Sequence, residues 1–323
     1  VAGTSVRRAT TLAALACIAC AVRAQSVPPT APDSLEEVVV TGERAGPGLW
    51  HLRRGDADLW ILGALSPLPK DITWKSAEVE RVIARADVVV IGKPLEIGIV
   101  RAMWIFLTHR DLLVVPGGQR LRDILPPPLY SRFAAQRARY AHDPEKWERY
   151  RPALAAAFLE ETALHAAGLS SRLDMAQEVR KLAERHSVRV DEVATAGVRD
   201  LLGTLKTVPA ATENKCLAAA LSTIESGLPR LTERAAAWSR GDVAAMQRLP
   251  DSAEDLECRA ALTSDAGSAG LLARIRREWL EAIEGHMHGT AVTLAVVHFD
   301  LLLEQGGLLD ALRAKGYTVV EAP

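Results

Sequence analysis

The residues with the greatest chemical potential stand at the exits of two apolar runs. His298 directly follows "TLAVV" (293–297), and Ser66 closes "WILGALS" (60–66). Imidazole suits proton transfer near neutrality and metal ligation. A serine attacks only with a base within hydrogen-bond reach. His298 could supply that base to Ser66 if the two runs face each other. Ser66 lacks the glycine-flanked elbow that hydrolase nucleophiles use. His286 and His288 in "GHMHG" (285–289) could chelate a metal, but they follow a helix and sit between glycines, and a solvated loop accounts for them. The other histidines show no ligand spacing. There is no His-Glu-x-x-His helix, no phosphate loop and no dinucleotide fingerprint.

Two similar units must position His298 and Ser66. Leu49–Arg53 and Asp58–Leu62 flank a Gly/Asp turn and read as a hairpin. Arg54-Gly55-Asp56 spells an adhesion tripeptide, but the turn explains it. Ser76 is placed to cap a helix over Ala77–Ala86, and Val88–Ile91 reads as a buried parallel strand. The closing "VTLAVVHFDLLLEQGGLLDALRAKGYTVV" (292–320) repeats the order: strand, loop, helix over Leu308–Lys315, strand. The fold class expected is therefore α/β. One domain has a central sheet built from two strand–loop–helix–strand halves, with a helical insertion over about 130–285. Catalytic groups in such sheets gather at the carboxyl ends of strands.

Within the insertion, helical periodicity covers Ser131–Tyr140, Pro144–His165, Ser171–His186 and Val198–Thr207, with a strand at Ser187–Val193. Glu213–Glu225 and Leu228–Trp238 read as an antiparallel pair around Gly227. Gly241 and Asp242 read as a stop and the next N-cap, and Ser252 with Asp255 as a capping box.

The chain has 323 residues, 49% hydrophobic and 24% charged, with a formal net charge of −1. That balance supports a large core and excludes nucleic acid as an expected partner. Arg7 and Arg8 before the apolar Thr11–Val22, and Val22-Arg23-Ala24 after it, read as a signal peptide over 1–24, cleaved before Gln25. Residues 25–47 hold a Pro-rich linker and a β-rich run, and 48–321 the domain. The expected location is periplasmic or secreted, with no transmembrane segment in the mature chain. Cys216 and Cys258 would then meet an oxidising compartment and form one disulfide between two helices.

Two stretches carry a resemblance. "LWILGALSPLPKDITWKSAEVERVIARADVVV" (59–90) and "AVVHFDLLLEQGGLLDALRAKGYTVV" (295–320) resemble the opening and closing segments of the TraB/GumN family, whose relatives include the Tiki metalloproteases. "CLAAALSTIESGLPRLTERAAAWSRGD" (216–242) fits the helical middle. The resemblance implies metal-dependent hydrolysis at two Gly-x-x-His motifs. Here the first reads Gly63-Ala64-Leu65-Ser66 and the second Ala295-Val296-Val297-His298. A family glutamate falls near Gly92, where no carboxylate stands. A second maps to Glu192, and a family arginine to Arg274, Arg276 or Arg277. "LEEVVVTGER" (35–44) is similar to the energy-coupling stretch of TonB-dependent receptors.

The resemblance therefore implies an exported envelope protein whose metal site has decayed, His298 being its remaining ligand. It would bind an envelope protein or peptide and need no cofactor. The alternatives are a hydrolase rebuilt from His298, Ser66, Glu192 and Arg276, with a divalent metal, or a partner of the TonB system through residues 35–44.

Overall fold

The computed structural model describes residues 46–93, 97–141, 143–171, 175–249 and 251–323. The β-rich run at 35–44 and residues 1–24, expected to be a signal peptide, lie outside the described residues.

The predicted hairpin forms from β1 (Leu49–Arg54) and β2 (Ala57–Ala64), paired antiparallel. Gly55 turns the chain at φ 61°, a conformation only glycine adopts freely. β3 (Leu68–Pro69) pairs with β5 (Leu169–Ser170) in a small separate sheet. The main sheet is completed by β4 (Val88–Gly92), β6 (Arg189–Val193), β7 (Val292–His298) and β8 (Thr318–Glu321). Its order is β6-β4-β7-β2-β1-β8. β6, β4, β7 and β2 run parallel, so their carboxyl ends share one edge.

Central strands in parallel sheets are buried on both faces and read as unbroken apolar runs. Val88–Ile91 and Leu294–Val297 do so, each residue at 3% exposure or less. Two helical layers cover them. On one face α1 (Ala77–Ile83) packs Val79, Val82 and Ile83 with Leu62, Ile91 and Val296. On the other, Trp238, Trp279 and Leu308 pack with Ile61, Val90 and Ala295. The two halves predicted are therefore present, and their crossover helices cover opposite faces. β7 enters between β2 and β4, which closes both halves into one sheet.

The remaining helices are α2 (Ile99–Thr108), α3 (Pro127–Tyr140), α4 (Pro152–Ala166), α5 (Met175–Arg185), α6 (Val198–Thr207), α7 (Ala210–Ser222), α8 (Leu228–Ser239), α9 (Ala253–Ser264), α10 (Ala266–Glu284), α11 (Phe299–Leu303) and α12 (Leu308–Ala314), with the short helix Val243–Arg248, capped by Asp242, between α8 and α9 and shorter turns elsewhere. Phe133, Leu159, Leu217 and Leu221 give α3, α4 and α7 a core of their own. Cys216 on α7 and Cys258 on α9 form the expected disulfide, with Cα atoms 4.7 Å apart. The capping box at Ser252 and the Asp242 cap are both present.

Four helical expectations are corrected. α7 and α8 are not an antiparallel pair: a π-helical stretch, Thr223–Gly227, joins them, and Gly227 keeps helical angles (φ −85°, ψ −20°). Pro229 follows closely on that stretch, and its fixed φ is compatible with a helix, so it does not stop the chain. The helix expected over Pro144–His165 is broken before Pro152, because a proline interior to a helix removes a hydrogen bond. Ser76 does not cap the α1 backbone; its hydroxyl bonds the Glu80 carboxylate at 2.7 Å. Finally, α2 forms where the sequence reading assigned nothing.

Candidate functional site

The parallel register sets the strand exits side by side. Ala64 at the end of β2 pairs directly with His298 at the end of β7. Ile91 of β4 pairs with Val296 on one side and with Glu192 of β6 on the other. Strand alternation therefore assigns His298 and Glu192 to the face covered by α1 and α5.

Each candidate has partners of its own. Ser66 donates its hydroxyl to the Ser171 carbonyl oxygen at 3.3 Å and makes no hydrogen bond to His298. The Ser171 hydroxyl in turn donates to Glu161. His298, about half exposed, has Nδ1 3.8 Å from the Asp300 carboxylate, beyond hydrogen-bond range. Asp300 accepts from the Arg234 guanidinium at 3.1 Å. Glu192 is ion-paired with Arg180 of α5. Arg276 pairs with Glu304 at 3.1 Å, and its helix α10 packs on the opposite sheet face through Trp279 and Ile283. Arg274 bridges Asp200 and Glu278, both at 2.8 Å, and Arg277 is mostly exposed beside Glu281. The edge thus sets His298 beside Ala64, two residues before Ser66. It holds Glu192 two strands away and Arg276 behind the sheet.

The glycine before Ser66 has a packing cause. A Cβ at Gly63 would stand 2.9 Å from Trp50 and 3.0 Å from Phe299. Those two rings meet edge to face, with centroids 5.9 Å apart. The Gly63 carbonyl accepts the indole N–H of buried Trp238 at 2.7 Å. Gly63 therefore lets the strand exit lie tightly between three aromatic rings. At the matching place in β7, Ala295 is fully buried.

The TraB/PrgY/gumN family model matches residues 48–321. The chain belongs to this family. No curated protein and no solved structure matches the chain. In this TraB/PrgY/gumN member the two end segments that carried the resemblance are the two halves that β7 closes into one sheet.

The metal implied by the resemblance does not fit the groups at this edge. A catalytic divalent ion takes about three protein ligands and an open position. Here Ala64 faces His298, Ser66 offers a neutral hydroxyl, and Asp300 and Glu192 are both held by guanidinium groups. Among the described residues no three His, Cys, Asp or Glu side chains are grouped to hold a metal ion.

The same edge contains a cavity of about 490 Å³ at the exits of β4 and β6. Lys93, Arg101 and Arg180 line it together with Glu192, Thr195 and Gly197, the last at the N-terminus of α6. Its cations outnumber its single carboxylate, while the N-terminus of α6 beside it is capped by Asp200, whose carboxylate accepts the Gly197 N–H at 2.8 Å. Glu192 is legible in the sequence, and its cavity neighbours are not. Arg180 and Arg101 sit on separate helices with no shared motif, whereas Asp300, two residues after His298, was within reach of a closer reading.

Proposed function

We propose that this chain is an exported TraB/PrgY/gumN member that works by binding, its family metallohydrolase site having decayed. One observation carries the reading. Four ligand-type groups at the carboxyl edge are opposite an inert side chain or already engaged: His298 across from Ala64, Ser66 on a backbone carbonyl, Asp300 on Arg234, Glu192 on Arg180. The occupant proposed for the cationic cavity beside them is an acidic segment of an envelope protein or peptide. Lys93 and Arg101 are exposed and have no carboxylate partner among the described residues, so they are free to pair with it. The Cys216–Cys258 disulfide supports export, since such bonds persist in oxidising compartments.

The test combines elemental analysis with a binding assay. After incubation with zinc or manganese and gel filtration, the protein should carry far less than one metal per chain. A labelled glutamate-rich peptide should bind in a salt-sensitive way, and Lys93→Ala/Arg101→Ala should weaken it by about tenfold. Stoichiometric metal together with a peptidase activity lost in His298→Ala would overturn the reading in favour of a rebuilt hydrolase.

A further inference from the structure

Helix α2 faces its apolar side the wrong way for a protein core. Its ten residues, Ile99–Thr108, include only one buried side chain, Ile105. Ile99 is 83% exposed, Val100 84%, Met103 60%, Trp104 58% and Leu107 72%, with Phe106 at 39%. On a helical wheel these six fall within one arc of roughly 160°, with Ile105 on the opposite side. Arg101 and Thr108 sit on that inward side too, and Arg101 lines the cationic cavity.

The exposed apolar area of these six side chains is on the order of 800 Å², above the roughly 300–600 Å² of the largest patch on a typical monomer. Such a face requires an occupant. A pairing helix uses a narrower stripe of a and d positions, so a seam between two helices would leave part of this arc wet. A laterally extended apolar medium covers it all. The helix is about 15 Å long, half the thickness of a bilayer's hydrocarbon core, so it would lie in the interface and not cross it.

Charge around the helix points to the same medium. Arg110 and Arg149 are exposed, and neither has an ion-pair partner among the described residues. With Phe106 they line a cavity of about 320 Å³ at the end of α2. Asp143 and Glu145 face the same cavity, and Glu145 is held by Arg120. Trp104 stands at one margin of the apolar arc, and an indole with one polar edge favours that depth in a membrane.

We propose that α2 is a membrane-surface anchor. It inserts Ile99, Val100, Met103, Trp104 and Leu107 into the boundary between headgroups and acyl chains of a bilayer containing anionic lipid, with Arg110 and Arg149 on the headgroups. Amphipathic helices of this kind bind through buried apolar area plus attraction to anionic lipid.

The experiment is flotation of the full chain with phosphatidylglycerol–phosphatidylcholine vesicles, compared with Val100→Glu/Leu107→Glu. Both positions are outside the core, so the variant should keep the wild-type melting temperature. We expect it to lose at least tenfold in partitioning, and we expect Arg110→Gln/Arg149→Gln to lose the preference for phosphatidylglycerol. A second readout uses lipids brominated near the headgroup: they should quench part of the wild-type indole emission, and Trp104→Phe should remove that part. Equal flotation of wild type and the glutamate variant, as would follow if residues 11–22 alone held the vesicles, overturns the proposal. So does binding indifferent to anionic lipid, or a dimer in solution that the glutamate variant splits without changing vesicle binding.

Discussion

His298 and Ala64 are direct partners across the parallel ladder of β7 and β2. The strands that end at Ala64 and His298 are therefore adjacent, and the side chain facing the imidazole is a methyl group. The next polar group along β2, Ser66, turns its hydroxyl to Ser171. His298 keeps a long contact to Asp300 and nothing stronger.

Replacing His298 by alanine should therefore cost little. The expected change in unfolding free energy is within about 0.5 kcal/mol, the usual range for an exposed site with no strong partner. Urea denaturation of the two proteins measures it. A loss of several kcal/mol would mean that the imidazole has a structural partner.

Gly63→Ala should be costly although only one methyl is added. The new Cβ meets Trp50 at 2.9 Å and Phe299 at 3.0 Å in a packed interior. Overpacking of this kind costs about 1–3 kcal/mol. The denaturation midpoint should fall, and near-ultraviolet circular dichroism should report the displaced tryptophan.

Reduction of Cys216–Cys258 should lower stability by about 3–4 kcal/mol in the chain-entropy model. The bond closes a sequence separation of 42 residues and ties α9 to α7. Thermal melts with and without reductant test this, and Cys216→Ala/Cys258→Ala should reproduce the reduced protein.

Glu160 should make stability depend on pH. Burial, with the charges of Asp255 and Glu161 adding to it, pushes its carboxyl from 4.5 up to about 7. An unfolded chain gives up this proton near 4.5 while the fold retains it until about 7. The unfolded state then binds fewer protons in that window, so stability falls as pH rises through it and levels off above. Glu160→Gln should flatten this slope and gain about 1–3 kcal/mol at pH 8. Denaturation at pH 4.5 and pH 8 gives the comparison, and an equal slope in the variant would reject the assignment.

Much of the fold was legible because its signals are local. A Gly/Asp turn between apolar runs marked the β1–β2 hairpin, and Val88–Ile91 marked a strand buried on both sides. Ser252 and Asp255 marked a helix start by a bond three residues long. The failures were local signals overruled or absent. Gly227 reads as a turn, but it keeps helical angles where the π-helical stretch carries the chain from α7 into α8. The apolar run at 99–107 has no strand partner and buries only Ile105, so neither rule for core elements applies to it.

By itself the sequence determined the strands and most helices, and the single disulfide available to the body of the chain. Each depends on residue type and short-range periodicity. The tertiary structure alone decided that β7 enters between β2 and β4, and that Arg276 lies behind the sheet from Glu192. It also decided that Arg234 and Arg180 take the carboxylates of Asp300 and Glu192, and that α2 faces outward. The reason is physical. Periodicity records which side of an element is apolar, whereas strand order, charge pairing and the direction an apolar side faces depend on partners far away in the chain, brought near only by packing.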